Sequence, residues 1–287
     1  MTGLPGFLRS APRAPVGAAA PPVRCGSLGL AMQAAPWKWT LLHDRPDAVL
    51  IWITRGSGRA TVAGIRRGLA MHNALFVPAG TLFALDLPAG VQALFVQCRP
   101  DSAARLPAEP YLLRVRDAYA QAELTGEIDA MSREKQAARP RLAEALEARL
   151  QLVAVWLHRQ ISAGAADIPP RTAANRLARR FAQAVARDHA APLSMAEHAA
   201  ALDVTPTHLS RVCRAACGRT AADMLTERRL YAARLALEAP RPPIREIAAA
   251  LGFASPAYFS RFVQTHTGCS PSALRRAARD AAARGSA

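Results

Sequence analysis

Lysine is almost absent from this chain. Lys38 and Lys135 are the only two among 37 basic residues, so arginine carries the positive charge. Cysteine is sparse and scattered. The five, Cys25, Cys98, Cys213, Cys217 and Cys269, are odd in number and form no CxxC pair. That spacing argues against a zinc site or a disulfide framework and suits a reducing, cytoplasmic setting. Cys213 and Cys217 are four apart and read as packing residues on one helix face. No apolar stretch of 18 or more residues runs free of charge, Pro and Gly, so no membrane-spanning helix is expected. Acid is missing from the first 31 residues, which are rich in Ala, Pro, Gly and Arg. Pro5, Arg9, Pro12 and Arg13 interrupt any signal-like apolar core. Residues 1–35 therefore read as a disordered arm, or as sequence preceding a true start at Met32.

The chain has 287 residues, and 51% are hydrophobic, enough for one large or two ordinary domains. The 37 basic and 21 acidic residues leave a net charge of +16, which suits nucleic acid or an anionic surface. A GC-rich genome also enriches Arg and Ala, so the distribution is more telling than the total. Residues 1–110 carry 11 basic and 5 acidic side chains, residues 111–170 carry 8 of each, and residues 171–287 carry 18 and 8. Genome bias would spread arginine evenly. A neutral middle and a strongly basic end point to a nucleic-acid-binding C-terminal domain.

Short apolar runs between turn residues predict strands over 37–98. They are Ala48–Thr54, Arg59–Ala63, Leu75–Val77, Thr81–Leu87 and Val91–Cys98. Gly56, Gly58, Gly80 and Gly90 mark the turns. Spacings near ten residues leave no room for crossover helices, so a small antiparallel barrel or sandwich is expected over 36–110. The Gly56-Ser57-Gly58 turn and the run Phe76-Val77-Pro78-Ala79-Gly80 resemble a cupin-type barrel, the kind that serves as a ligand-binding domain in some bacterial regulators. A catalytic cupin needs imidazoles and a carboxylate converging on a metal. Before residue 100 only His43 and His72 occur, no HxH exists, and the first Glu is Glu109. No metal, cofactor or enzymatic activity is expected here. A small-molecule effector in the interior is the functional expectation, with Trp37, Trp39, Trp52, Phe76 and Phe83 either as its walls or as plain core.

Residues 111–168 read as a helical segment. Tyr119–Arg139 is helix-compatible. In Arg141–Ile161 the residues Leu142, Leu146, Leu150, Val153, Leu157 and Ile161 step by four or three, which makes one apolar stripe. Either the barrel or a second subunit can cover it. The helix's length favours a dimer contact. Gly164 and Pro169-Pro170 then mark a linker.

The last 117 residues contain an internal repeat. Glu197 and Leu202 match Glu246 and Leu251 at an offset of 49, and Ser210, Arg211 and Gly218 match Ser260, Arg261 and Gly268 at 50. The inserted residue falls in a turn. Each copy, 193–218 and 243–268, reads as helix, tight turn and second helix. Thr205-Pro206 and Ser255-Pro256 supply a cap and a proline start, and the glycines end the second helix. Arg219–Ala239 between the copies reads as one long helix ended by Pro240.

The run Ile244-Arg-Glu-Ile-Ala-Ala-Ala-Leu-Gly-Phe253, with Ser255, Tyr258-Phe259-Ser260-Arg261-Phe262, Gly268, Ser270-Pro271 and Arg275, resembles the AraC/XylS family of bacterial transcription regulators. The likeness covers about residues 175–279. Val263-Gln264 stands where lysines are usual, Leu274 where Tyr is usual, Val212 where Phe is usual, and His198 at a normally apolar site. The resemblance implies an α+β two-domain protein: an N-terminal antiparallel β barrel with a helical segment, then an all-α double helix-turn-helix domain at 171–279 and a tail at 280–287. It also implies double-stranded promoter DNA and RNA polymerase as partners, and activation as the sign of regulation. No membrane partner is expected.

The face of each second helix opposite its apolar stripe would carry the DNA contacts. In the first copy these are Thr207, Ser210, Arg211 and Arg214, and in the second Ser255, Ala257, Ser260, Arg261 and Gln264. Arg211 and Arg261 lead, because a guanidinium fork matches guanine O6 and N7. Tyr258 and His208 would touch sugar-phosphate or pack. Arg171, Arg176, Arg179 and Arg180 would meet phosphates or simply flank the linker. Two alternatives stand beside a sequence-specific regulator: a barrel enzyme targeted by its DNA-binding domain, and a non-specific architectural binder.

Overall fold

The structure is a computed structural model that describes residues 23–239 and 241–284. Residues 1–22 of the predicted arm, Pro240 and residues 285–287 lie outside them. Two antiparallel sheets form the N-terminal domain. The larger has the order β1-β7-β2-β5-β8, made of β1 (Val23–Ser27), β2 (Ala48–Arg55), β5 (Asn73–Val77), β7 (Gln92–Cys98) and β8 (Tyr111–Arg114). The smaller has the order β4-β3-β6, made of β3 (Gly58–Val62), β4 (Ile65–Leu69) and β6 (Phe83–Asp86).

Strand β2 explains the layering. Its first six residues, Ala48–Ile53, are all buried, because successive side chains go to opposite faces and both faces are covered. Val49, Ile51 and Ile53 join Leu75, Phe83, Leu85 and Phe95 between the sheets. Leu50 and Trp52 face the other way, with Phe76, onto two helices, α3 (Ala118–Ala137) and α4 (Leu142–Ser162). The α4 stripe is consumed there. Leu146, Leu150, Val153 and Leu157 are buried against the sheet, and Leu142 and Ile161 pack at its margin. The expected dimer stripe is thus internal to the chain. Its sequence spacing shows that one face must be covered, and the sheet covers it.

Residues 23–35 differ from the predicted arm. Strand β1 pairs with β7 from Val23–Cys98 to Ser27–Leu94, and α1 (Leu28–Ala34) follows, with Leu28 in the core between the sheets. A short helix, α2 (Trp37–Thr40), leads into β2. Strands β1, β4 and β8, which periodicity did not single out, are all edge strands. An edge strand needs only one neighbour and tolerates charge, so its apolar alternation is short or broken, as in Ile65-Arg66-Arg67-Gly68-Leu69.

The linker is not free. Arg114 N donates to Ala165 O and Asp167 N to Leu112 O, which lays residues 165–167 along β8. Arg114 and Arg67 both pair with Asp167.

The C-terminal domain opens with α5 (Ala173–Asp188), a helix not singled out from the sequence. Then come α6 (Met195–Ala200) and α7 (Pro206–Cys217), the long α8 (Ala221–Glu238), α9 (Ile244–Ala250) and α10 (Pro256–Thr267), and α11 (Pro271–Arg284). The repeat is exact at its turns. Val204 N donates to Ala199 O at 3.1 Å, and Phe253 N to Ala248 O at 3.0 Å. Asp203 and Gly252 both take positive φ, at 59° and 74°. Ala254 is the inserted residue that follows.

At Gly252 a Cβ would stand 2.4 Å from the Ala190 carbonyl oxygen. Gly80 has a similar φ of 71° but open space around it. Gly80→Ala should cost about 1–2 kcal/mol for the left-handed backbone alone. Gly252→Ala should cost clearly more, read as a lower urea or thermal midpoint. Equal shifts would show that the close approach at Gly252 is immaterial.

Candidate nucleic-acid interface

Each reading helix begins and ends as its sequence dictates. Thr205 Oγ1 accepts from His208 N and Ser255 Oγ accepts from Tyr258 N, with Pro206 and Pro256 in the first turn. Gly218 and Gly268 close the helices at φ 79° and 74°. On α7 the buried side is Leu209, Val212, Cys213 and Cys217, and on α10 it is Phe259 and Val263.

The opposite sides are open. Thr207, Arg211 and Arg214 are exposed and Ser210 is half-buried, while Ala257, Arg261 and Gln264 are exposed and Ser255 and Ser260 are half-buried. Two serines are already engaged. The Ser255 hydroxyl oxygen serves as the cap, and Ser260 Oγ donates to Pro256 O at 2.9 Å. Arg211 Nη2 lies 3.1 Å from His208 Nδ1, so His208 props the guanidinium. Arg261 makes no ion pair among the described residues. Tyr258 is 59% exposed at the start of α10, beside Phe253.

Helix α8 joins the two units. Ala221 and Met224 lie in the core of the first unit with Phe181, Leu202 and Leu209, and Ala232, Ala233, Ala236 and Leu237 lie in the core of the second with Ile247, Leu251 and Phe259. The first core also contains Leu42, Leu82 and Ala84 of the N-terminal domain. A row of polar contacts continues this junction along α8. Lys38 Nζ meets Glu238 at 2.7 Å, Leu42 N donates to Glu227 at 3.1 Å, and Arg228 pairs with Asp44. Arg219 donates to Glu227 at 2.7 Å and to Thr61 at 2.9 Å. None of these partners was singled out from sequence, since the pairs across the junction lie between 158 and 200 residues apart and leave no local pattern.

The five aromatics expected around an effector are scattered. Trp52 and Phe76 face the helices, and Trp52 Nε1 donates to Thr125. Trp39 and Phe83 lie in the core between the sheets. Trp37 sits at the domain junction, edge-on to Tyr231 at 5.3 Å with Arg234 over its ring. They enclose no common space, because alternation along β2 and β5 sends Trp52 and Phe76 out of the sheet sandwich. A cavity of about 220 Å³ lies elsewhere, between the sheets, the linker and α5. Leu75, Leu82 and Tyr111 form part of its wall, with the side chains of Arg67 and Arg179. Among the described residues, no group of three or more His, Cys, Asp or Glu could hold a metal, and no helix is long and apolar enough to cross a membrane.

Three histidines are buried at or near the junction. His43 stacks on Tyr231 at 4.4 Å, and its Nδ1 donates to Leu41 O while its Nε2 accepts from Arg45. Burial, reinforced by Arg45, holds its pKa well below the ordinary imidazole value. Burial lowers His189 to about 4 and also lowers His198. His198 lies edge-on to Phe181 at 6.1 Å, and its Nε2 has no partner among the described residues.

Residues 198–277 match the protein family described as a helix-turn-helix domain. A search of curated protein sequences returned no match. Among solved structures, the C-terminal domain of AraT, a response regulator from Geobacillus stearothermophilus, is 29% identical over 37% of this chain and 88% of that one, with a TM-score of 0.35. ToxT from Vibrio cholerae, solved with an unsaturated fatty acid bound, is 13% identical over 88% of this chain and 94% of that one, with a TM-score of 0.40. The AraC-like transcriptional activator CuxR is 12% identical over 73% and 72%, with a TM-score of 0.30.

Depressed imidazole pKa values favour the neutral form in the fold, so the unfolded chain binds more protons in acid. Stability is therefore full above about pH 6.5 and falls as pH drops towards 4. His198→Leu should raise the thermal midpoint more at pH 5 than at pH 8. An equal shift at both pH values would rule out a titrating contribution from His198.

With its paired, capped units and its match over 198–277, the C-terminal part of the chain is a helix-turn-helix domain.

Proposed function

We propose that the chain is a sequence-specific transcription regulator, an activator by family resemblance, that reads two adjacent major-groove segments of promoter DNA and answers to a small molecule held by its N-terminal domain. The observation that carries this is the equivalence of Arg211 and Arg261. Each is exposed at the matching place on its reading helix. Helix α8 has 18 residues and so spans about 27 Å, against about 34 Å for one turn of B-DNA. Its two ends are buried in the cores of the two units, which makes it a stiff spacer suited to adjacent turns. RNA polymerase as a partner rests on the resemblance.

For the effector, the cavity between the sheets and α5 is the better candidate than the scattered aromatics. Arg179 makes no ion pair among the described residues and stands beside apolar walls, Glu109 and an Arg67 already paired with Asp167, so it suits the single carboxylate or phosphate of a small molecule. Its walls come from both domains, so occupancy would bias how they sit together. For a second copy of the chain, the outer face of α4 offers Leu152 at 53% and Val155 at 45% exposure.

Arg211→Ala and Arg261→Ala should each weaken binding to the selected promoter site by about 1–3 kcal/mol, measured against random competitor DNA at physiological salt. Wild-type affinity in both variants would overturn the assignment. Little discrimination by the wild-type protein would favour the architectural reading. In a thermal-shift panel of small carboxylates and phosphates, Arg179→Ala should abolish any stabilisation seen with wild type. An undiminished shift would place the effector elsewhere.

A further inference from the structure

On α7 the residues Thr207, Arg211 and Arg214 step by four and three, which sets them on one helix face, and the capping Gly218 follows four residues on. All four are exposed. The guanidinium of Arg66, from the N-terminal domain, lies over the last of them. A Cβ built on Gly218 would stand 3.1 Å from Arg66 Nη2 and 3.2 Å from its Cζ. The matching Gly268 of the second unit has nothing within 4 Å.

The approach is held firmly. Ile65, next to Arg66, packs with Val212 of α7 and Ala178 of α5. Gly64 at the hairpin turn is so close to α5 that a Cβ would stand 2.6 Å from Ala178 O. On the same strand face, Thr61 opposite Arg66 accepts from Arg219. The neighbouring arginines are engaged: Arg219 with Glu227, and Arg59 with Asp86 at 3.9 Å. Arg66 makes no ion pair among the described residues, and it borders an open groove with Arg59, Arg219 and Gly218.

We propose that Arg66 extends the DNA interface onto the N-terminal domain, by contacting a backbone phosphate beside the site read by α7. This rests on the reading of α7 as a base-reading helix. The geometry follows from lengths. Twelve residues make α7 about 18 Å long, and the major groove is about 12 Å wide. With its first turns on base edges, its C-terminal end comes out at the sugar-phosphate wall. A cation fixed there meets phosphate rather than base, so it adds affinity without sequence preference. A favourable interaction with the C-terminal helix dipole would also place an arginine here. The two roles differ in salt dependence.

The test uses the full chain and a duplex selected by the wild-type protein from a random-sequence pool. Affinities are measured between about 50 and 200 mM salt. Arg66→Ala and Arg66→Gln should each lower the slope of log affinity against log salt by about 0.9, the value for one phosphate contact. They should weaken selected and random duplexes alike, and Arg66→Lys should restore the slope. Thermal unfolding identifies which variants are folded. An unchanged slope in a folded variant, or tighter binding once the charge is removed, would overturn the proposal. Failure of the underlying reading looks different: wild-type protein would select no sequence, or Arg211→Ala would keep full discrimination.

Discussion

Helix α8 is buried at its two ends in two different hydrophobic cores, and the arrangement of the molecule depends on that. Near its start it completes the first reading unit, and near its end the second. The first core is shared with Leu42, Leu82 and Ala84 of the N-terminal domain. Magnitudes indicate what holds the domains together. Fully burying a leucine or phenylalanine is worth about 1.5–3 kcal/mol, and several such side chains meet at this junction. Partly exposed ion pairs such as Lys38–Glu238 contribute at most about 1 kcal/mol each. Apolar burial does most of the holding, and the polar row along α8 sets the register. Arg228 and Asp44 are the more buried pair, and removing either alone would strand the other.

This junction makes the repeat asymmetric. The first unit leans on β4 and α5, whereas the second packs on α8 and on the turn after α5. The N-terminal domain touches α7 directly, and it reaches the second unit through α8 and through α5 and the turn after it. The cavity beside Arg67 and Arg179 lies at this junction, and so does Arg66. A junction built this way transmits a shift through rigid contacts, because packed cores move between discrete arrangements rather than bend.

The charge distribution has a structural counterpart. The neutral middle of the sequence becomes α3 and α4, where Glu127–Arg149 and Glu123–Arg159 pair across the two helices. The basic end becomes the helix-turn-helix domain, whose Arg211, Arg214 and Arg261 face solvent. Arginine at some other places is structural. Arg229 donates to the carbonyls of His189 and Ala191, and Arg275 to that of Pro242.

The sequence by itself determined the elements whose signals are local. The central strands, the two long helices, both helix-turn-helix units with their caps and glycine stops, and the exposed faces of α7 and α10 all follow from spacing and capping chemistry within about twenty residues. Tertiary structure alone decided what each apolar face meets. It turned the α4 stripe onto the sheet, sent Trp52 and Phe76 out of the interior, recruited β1, β4 and β8 as edges, and set Asp44 against Arg228 and Arg66 against Gly218. A side chain's partners across a fold are fixed by the packing of whole elements, and residues that far apart in the chain share no periodicity by which to recognise one another.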